Sequence, residues 1–213
     1  MKERNVTVTL TLDKAKEWFN SNNDILKALA LQAFNEEELK FSYKDIKTIQ
    51  DACKALNLSY PEIRYKIEEV AAISKASAAM FKLNIIRKAL NLGYDLHLTE
   101  NSKGQNGTWC PYFKIATKGS IFYNGQLERG DYEILGEIVS DGVTYNVIGG
   151  NVFCTIDCAG LGLYDSQNYC GSADTDFGFL GCAKKKIAKH FGKHFYMLIM
   201  EAMYGDMIDF EIL

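Results

Sequence analysis

A chain of 213 residues, 47% hydrophobic and 24% charged, can bury one substantial core or two small ones, which argues against disorder over most of its length. Its formal charge of -3 gives no whole-protein attraction to nucleic acid or anionic lipid, so any such contact has to be local. No run of about eighteen apolar residues occurs. The nearest stretch, Phe195 to Met203, is short and interrupted by Glu201, so no membrane contact is expected.

Taken in chain order, the first residues, Met-Lys-Glu-Arg-Asn-Val-Thr-Val-Thr-Leu, lack the continuous apolar segment of an export signal. A reducing compartment is therefore expected, with Cys53, Cys110, Cys154, Cys158, Cys170 and Cys182 kept as thiols, mostly buried. Val6 to Leu12 alternates and reads as a short strand. Asp13 then reads as the N-cap of a helix running to about Ser21, with Ala15, Trp18 and Phe19 at helical spacing. A second helix starts at Asp24 and places Ile25, Leu26, Leu29, Ala30 and Ala33 on one face. Glu36 to Glu38 form a solvated acidic patch, and a third helix is expected around Thr48 to Leu56. The spacing thus predicts a mostly helical N-terminal module over residues 1–60.

Residues 61–213 read as an α+β domain. Pro61 to Leu92 has no further proline and no glycine, and Ile67, Val70, Ala71, Ser74, Ala78, Phe81, Ile85, Ala89 and Leu92 step at threes and fours. One long linking helix, or two in tandem, is expected there, closed by Gly93. Strands follow at Trp109 to Ala116, Ser120 to Tyr123, Tyr132 to Val139, Thr144 to Ile148 and Val152 to Ile156, with Ser140-Asp-Gly as a hairpin turn. The expected result is an antiparallel sheet covered by a C-terminal helix. Leu161 to Asp176 is too rich in Gly, Ser, Asp and Asn to assign.

The closing helix is read over Gly181 to Tyr204. At about 100° per residue, Ile187, Ala188, Phe191, Phe195, Leu198 and Ala202 share one face, and Lys185, Lys186, Lys189 and Lys193 share the opposite one. With Lys184, five lysines and no acid fall between Gly181 and Phe195. Such a face suits a phosphate-bearing or otherwise anionic partner, and Lys185, Lys186, Lys189 and Lys193 are the candidate contact residues.

Other constellations are weighed against packing. Cys154 and Cys158 with His190 and His194 have ligand types and pairwise spacings that tetrahedral zinc accepts, but the gap between the pairs is far longer than in a zinc finger. Packing alone explains the same residues, so no metal and no cofactor is expected. Cys170 could act as a nucleophile with a histidine and Asp157, Asp165 or Asp174, yet nothing in the spacing selects that set. Asp174-x-Asp176-x-Gly178 lacks the remaining ligands of a calcium loop and reads as a turn. Trp18-Phe19 and Trp109-Cys-Pro-Tyr-Phe read as core. Gly-x-Ser-x-Gly, P-loop and dinucleotide fingerprints do not occur.

Three N-terminal stretches, Val8 to Asn23, Leu26 to Leu39 and Ile46 to Leu56, together with Met80 to Asn91, Tyr112-Phe113 and Phe179 leading into Ala188 to Phe195, resemble uncharacterised phage and prophage proteins of gut Bacteroides-group bacteria. The likeness spans most of the chain except the hairpin region from Gly125 to Gly150. Similar proteins tend to carry Tyr and Gln at the positions of His190 and His194, which counts against zinc. The resemblance implies no activity, but it does imply a phage-encoded protein of the host bacterial cytoplasm or the virion. The resulting expectation is a non-enzymatic binding protein, a virion or assembly component or a modulator of a host protein. The alternatives are nucleic-acid binding through the lysine face and a zinc-binding domain.

Overall fold

Side-chain capping sets where the N-terminal helices begin. In the computed structural model, which describes residues 9–94, 99–100, 106–120, 124–129, 132–150, 162–165, 174–176, 180–207 and 211–213, the Thr11 hydroxyl accepts the Lys14 N–H at 3.3 Å and opens α1 (Leu12–Phe19). The cap is Thr11, not Asp13, which lies inside the first turn where its charge favours the helix dipole. Leu12 is therefore helical and Thr9 to Thr11 form no strand, which corrects the strand expected over Val6 to Leu12; Val6 to Val8 lie outside the described residues. Asn23 caps α2 (Asp24–Ala33). Three reciprocal capping boxes follow: Asn35 with Glu38 for α3 (Glu36–Leu39), Ser42 with Asp45 for a 3-10 turn (Tyr43–Asp45), and Thr48 with Asp51 for α4 (Ile49–Ala55).

Ala15, Ala30 and Leu39 close a small core of their own, with Leu10, Trp18, Phe19 and Phe34 packed around it. On α2 only Ala30 of the expected apolar face is buried, and Ile25 is 73% exposed. Ile46, Ala52 and Ala55 belong instead to the main core. The change between the two clusters thus falls between Leu39 and Ile46.

The linking segment is two helices, α5 (Tyr60–Ala71) and α6 (Lys75–Leu90). Ser74 makes the break: its hydroxyl accepts the Ser77 N–H at 2.9 Å and donates to the Asp206 carboxylate, which also accepts the Ala76 N–H at 3.2 Å. Because the chain leaves helical geometry here, the stripe predicted through Phe81 and Ile85 changes phase. The face of α6 that is buried carries Ala78, Ala79, Leu83, Ile86, Ala89 and Leu90.

Every strand pairing is antiparallel among the described residues. A small sheet runs β1 (Thr99–Glu100), β2 (Asn106–Cys110), β6 (Gly162–Asp165). A larger one runs β7 (Asp174–Asp176), β3 (Tyr112–Thr117), β5 (Val143–Gly150), β4 (Tyr132–Ser140), β8 (Glu211–Ile212). The single strand expected over Trp109 to Ala116 divides at Pro111, which has no N–H to donate to a ladder, and its halves join different sheets. Asp174 to Asp176, expected as a turn, is the edge strand β7. A short helix, α7 (Asn124–Glu128), lies between two of the expected strands, while Val152 to Ile156 lies outside the described residues. The Ser140-Asp-Gly hairpin forms as predicted, with Asp141 at φ 51° and Gly142 at φ 73°, the left-handed pair that a two-residue β-turn of this twist needs.

The fold is α+β, and the C-terminal helix α8 (Lys185–Tyr204) packs on the sheet and on α6. Contact with the sheet is direct: a Cβ at Gly136, beside a bulge in β4, would stand 2.8 Å from the Tyr196 ring. Phe191 is fully buried and Phe195 is 6% exposed, their rings meeting edge to face at 5.8 Å. At Phe195 the backbone leaves helical geometry (φ -124°, ψ 16°). Beyond that kink Ile199 and Met200 are the buried residues, and Leu198 and Ala202, expected to carry the face, are half-buried.

Candidate functional site

The segment before α8 is not helical, although the sequence placed the helix start at Gly181. Cys182 forms a two-way backbone bridge with Trp109, accepting at 3.2 Å and donating at 2.6 Å. Asn91, at the C-cap of α6 and 5% exposed, donates to the Arg87 and Gly181 carbonyls at 2.8 and 3.4 Å and accepts the Ala183 N–H at 2.8 Å. These bonds fix the direction in which α8 sets out, and with it the fan of lysines at its start.

Lys184, Lys185, Lys186, Lys189 and Lys193 are all exposed, as the periodicity predicts. They do not form a bare solvated stripe. Lys184 stands 4.2 Å from the centroid of the Tyr94 ring, Lys185 5.6 Å from Trp109 and Lys186 5.5 Å from Tyr43, three rings supplied by three separate parts of the chain. Each ring is half-buried and packs on the main core. Lys193 pairs with Glu133 at 3.3 Å, and Lys189 has no ion-pair partner among the described residues. Beside these two, between α8 and the sheet, Phe113, Glu133, Leu135, Gly149 and Gly192 line a cavity of about 20 Å³, room for a single water.

On the flank of the same face, His190 and His194 lie one turn apart with ring centroids at 4.2 Å. His190 Nε2 donates to the Ile46 carbonyl at 2.7 Å, and the edge of Tyr43 meets the same imidazole. That bond holds α8 to the segment between the 3-10 turn and α4. Cys154 and Cys158, the other two candidate ligands, lie outside the described residues, as do Cys170 and Asp157. Among the described residues no group of three or more metal-ligating side chains converges.

Burial is the main reason both imidazoles sit below their ordinary pKa; Lys47 adds to it for both, His194 for His190 and Lys193 for His194, while the Ile46 carbonyl and Asp45 partly oppose it at His190. Unfolded, each ring would titrate near 6.5. The native state takes up these protons at lower pH, so stability is full above about pH 6.5 and falls as the pH drops from there through the folded values. A lower urea midpoint at about pH 5.5 than at about pH 7.5 is expected. His190→Gln, which removes the titration and keeps a donor for Ile46, should shrink that difference. Cys53 and Cys182 are buried, which raises both thiols, Cys182 to about 12, so each is a protonated packing group at neutral pH.

Neither a family model nor a curated protein nor a solved structure matches this chain. The site is therefore described by its own chemistry. Counting charges along the helix was enough to find its lysines. The rings of Tyr43, Tyr94 and Trp109 were not found that way, because each packs on the core through one face, and the sequence shows only an aromatic residue at a structural position.

Proposed function

We propose that this chain is a non-enzymatic, phage-encoded binding protein, a virion or assembly component or a modulator of a host protein, that meets an anionic partner with the lysine face of α8. One observation supports the contact surface above others: five exposed lysines on one helix end, three of them resting on aromatic rings fixed in the core. An ammonium group already held near one position loses less conformational freedom on binding than a free lysine does. The phage origin rests on the resemblance of the N-terminal and C-terminal stretches given above.

Affinity capture from infected cells, with mass spectrometry of purified particles alongside, tests this reading. Wild type is expected to retain a partner at stoichiometric level. The variant Lys185→Glu, Lys186→Glu, Lys189→Glu, Lys193→Glu should lose it while keeping the wild-type circular dichroism. Capture of nothing by wild type, or equal capture by the reversed variant, would overturn the proposal.

A further inference from the structure

We infer that the anionic partner of the α8 face is a single-stranded nucleic acid, its phosphates on Lys185, Lys186 and Lys189 and one base stacked on Trp109; this rests on the binding reading above. Lys185, Lys189 and Lys193 follow one another at every fourth residue, so their Cα atoms climb the helix in steps of about 6 Å. Trp109 lies at the Lys185 end of that row and the Glu133–Lys193 ion pair at the other. Lys186 flanks the row from the Tyr43 side.

The aromatic component is what favours a single strand. Binding a single strand without sequence readout needs cations for the backbone and ring faces for unstacked bases, close together and rigidly held. Lys185 and Lys186 are near the outer limit, about 6 Å, of useful contact with their rings. Both ammonium groups thus cap their rings loosely, whereas Lys184, at 4.2 Å from Tyr94, is more closely seated. Tyr43 is also engaged with the His190 ring, the two meeting nearly at right angles with centroids 5.5 Å apart, so Trp109 is taken as the platform. A duplex presents phosphates with its bases already stacked and would leave the rings unused. The five lysines sit in a chain whose total is -3, so the rest of the chain is net acidic and offers no general attraction to a strand.

The experiment uses the full chain and a fluorescein-labelled oligothymidylate of about 16 nucleotides, followed by anisotropy. With three lysines neutralising three phosphates, the log-log salt slope is expected near -2, a loss of about 20-fold in affinity between about 50 mM and 200 mM salt. Lys185→Glu, Lys189→Glu should weaken binding at least about tenfold at the lower salt. Both side chains are exposed, so the variant is expected to fold. In a Trp18→Phe background the remaining tryptophan, Trp109, should be quenched as the oligonucleotide binds. No binding at the lower salt, equal or tighter binding of a duplex of the same sequence, an unchanged double variant, or binding without quenching would each overturn the inference. If the oligonucleotide does not bind but charge reversal still releases a captured partner, the nucleic-acid inference falls and the binding reading stands. If both fail, both fall.

Discussion

Phe191→Ala is expected to cost about 3–5 kcal/mol, the largest loss of any single truncation on α8. The side chain is fully buried at the centre of the main core, on the stretch of α8 that lies between α6 and the larger sheet, and it meets Phe195 edge to face. Truncation removes its transfer free energy and leaves a cavity that α8 cannot close, because Gly136 already holds the sheet against Tyr196 further along the same helix. A domain of this size is stable by about 5–15 kcal/mol, so the loss would take a large share of the total. Urea unfolding followed by circular dichroism should show the midpoint fall with little change in slope. A paired measurement tests the kink: Ile199→Ala should cost about 2–5 kcal/mol and Leu198→Ala clearly less. Equal costs would mean that the helix runs straight through Phe195 and that its buried face keeps one phase.

That kink marks where the sequence stopped being readable. Through Phe195 the apolar spacing identified the buried residues of α8 and the exposed lysines opposite them. Gly192, one turn earlier, is the only local signal near the break, and simple periodicity carried the stripe on to Leu198 and Ala202. The break between α5 and α6 is similar. Ser74 lacks an acidic residue three positions later; the carboxylate that binds it is Asp206, 132 residues away along the chain. Local signals were sufficient where the partner was also local, as in the three capping boxes and the Asp141-Gly142 turn. On α2, composition suggested a core face, but the small cluster around Ala15 and Leu39 has room for little more than Ala30.

The candidate site divides in the same way. Its charge is concentrated in one short segment and could be counted. The arrangement that gives those charges a purpose depends on Tyr43, Tyr94 and Trp109 arriving from a turn, a helix end and a strand, and on one buried amide that sets the helix direction. Only the tertiary fold brings these together.

Asn91 is that amide, and Asn91→Ala is expected to cost about 2–4 kcal/mol and to weaken partner binding as well. Its side chain is 5% exposed and hydrogen-bonds backbone on both sides, out to Arg87 and Gly181 and in from Ala183, and it also meets the Cys182 thiol. Removing it leaves the buried Gly181 carbonyl and the half-buried Ala183 N–H without this partner, at up to about 1–3 kcal/mol each. Asn84→Ala is the matching control. Asn84 lies on the same helix and also donates to the carbonyl four residues back, at 3.1 Å, but it is exposed, so its loss should change stability by less than about 0.5 kcal/mol. The two substitutions should also separate in function. The residues that Asn91 holds, Gly181 and Ala183, flank the Cys182 bridge to Trp109, so Asn91→Ala should alter Trp109 fluorescence and lower affinity for the α8 partner even under conditions where the variant is fully folded. Unchanged binding by a folded Asn91→Ala protein would show that the lysines reach their partner without a fixed helix start, and the case for a pre-organised contact face would fail.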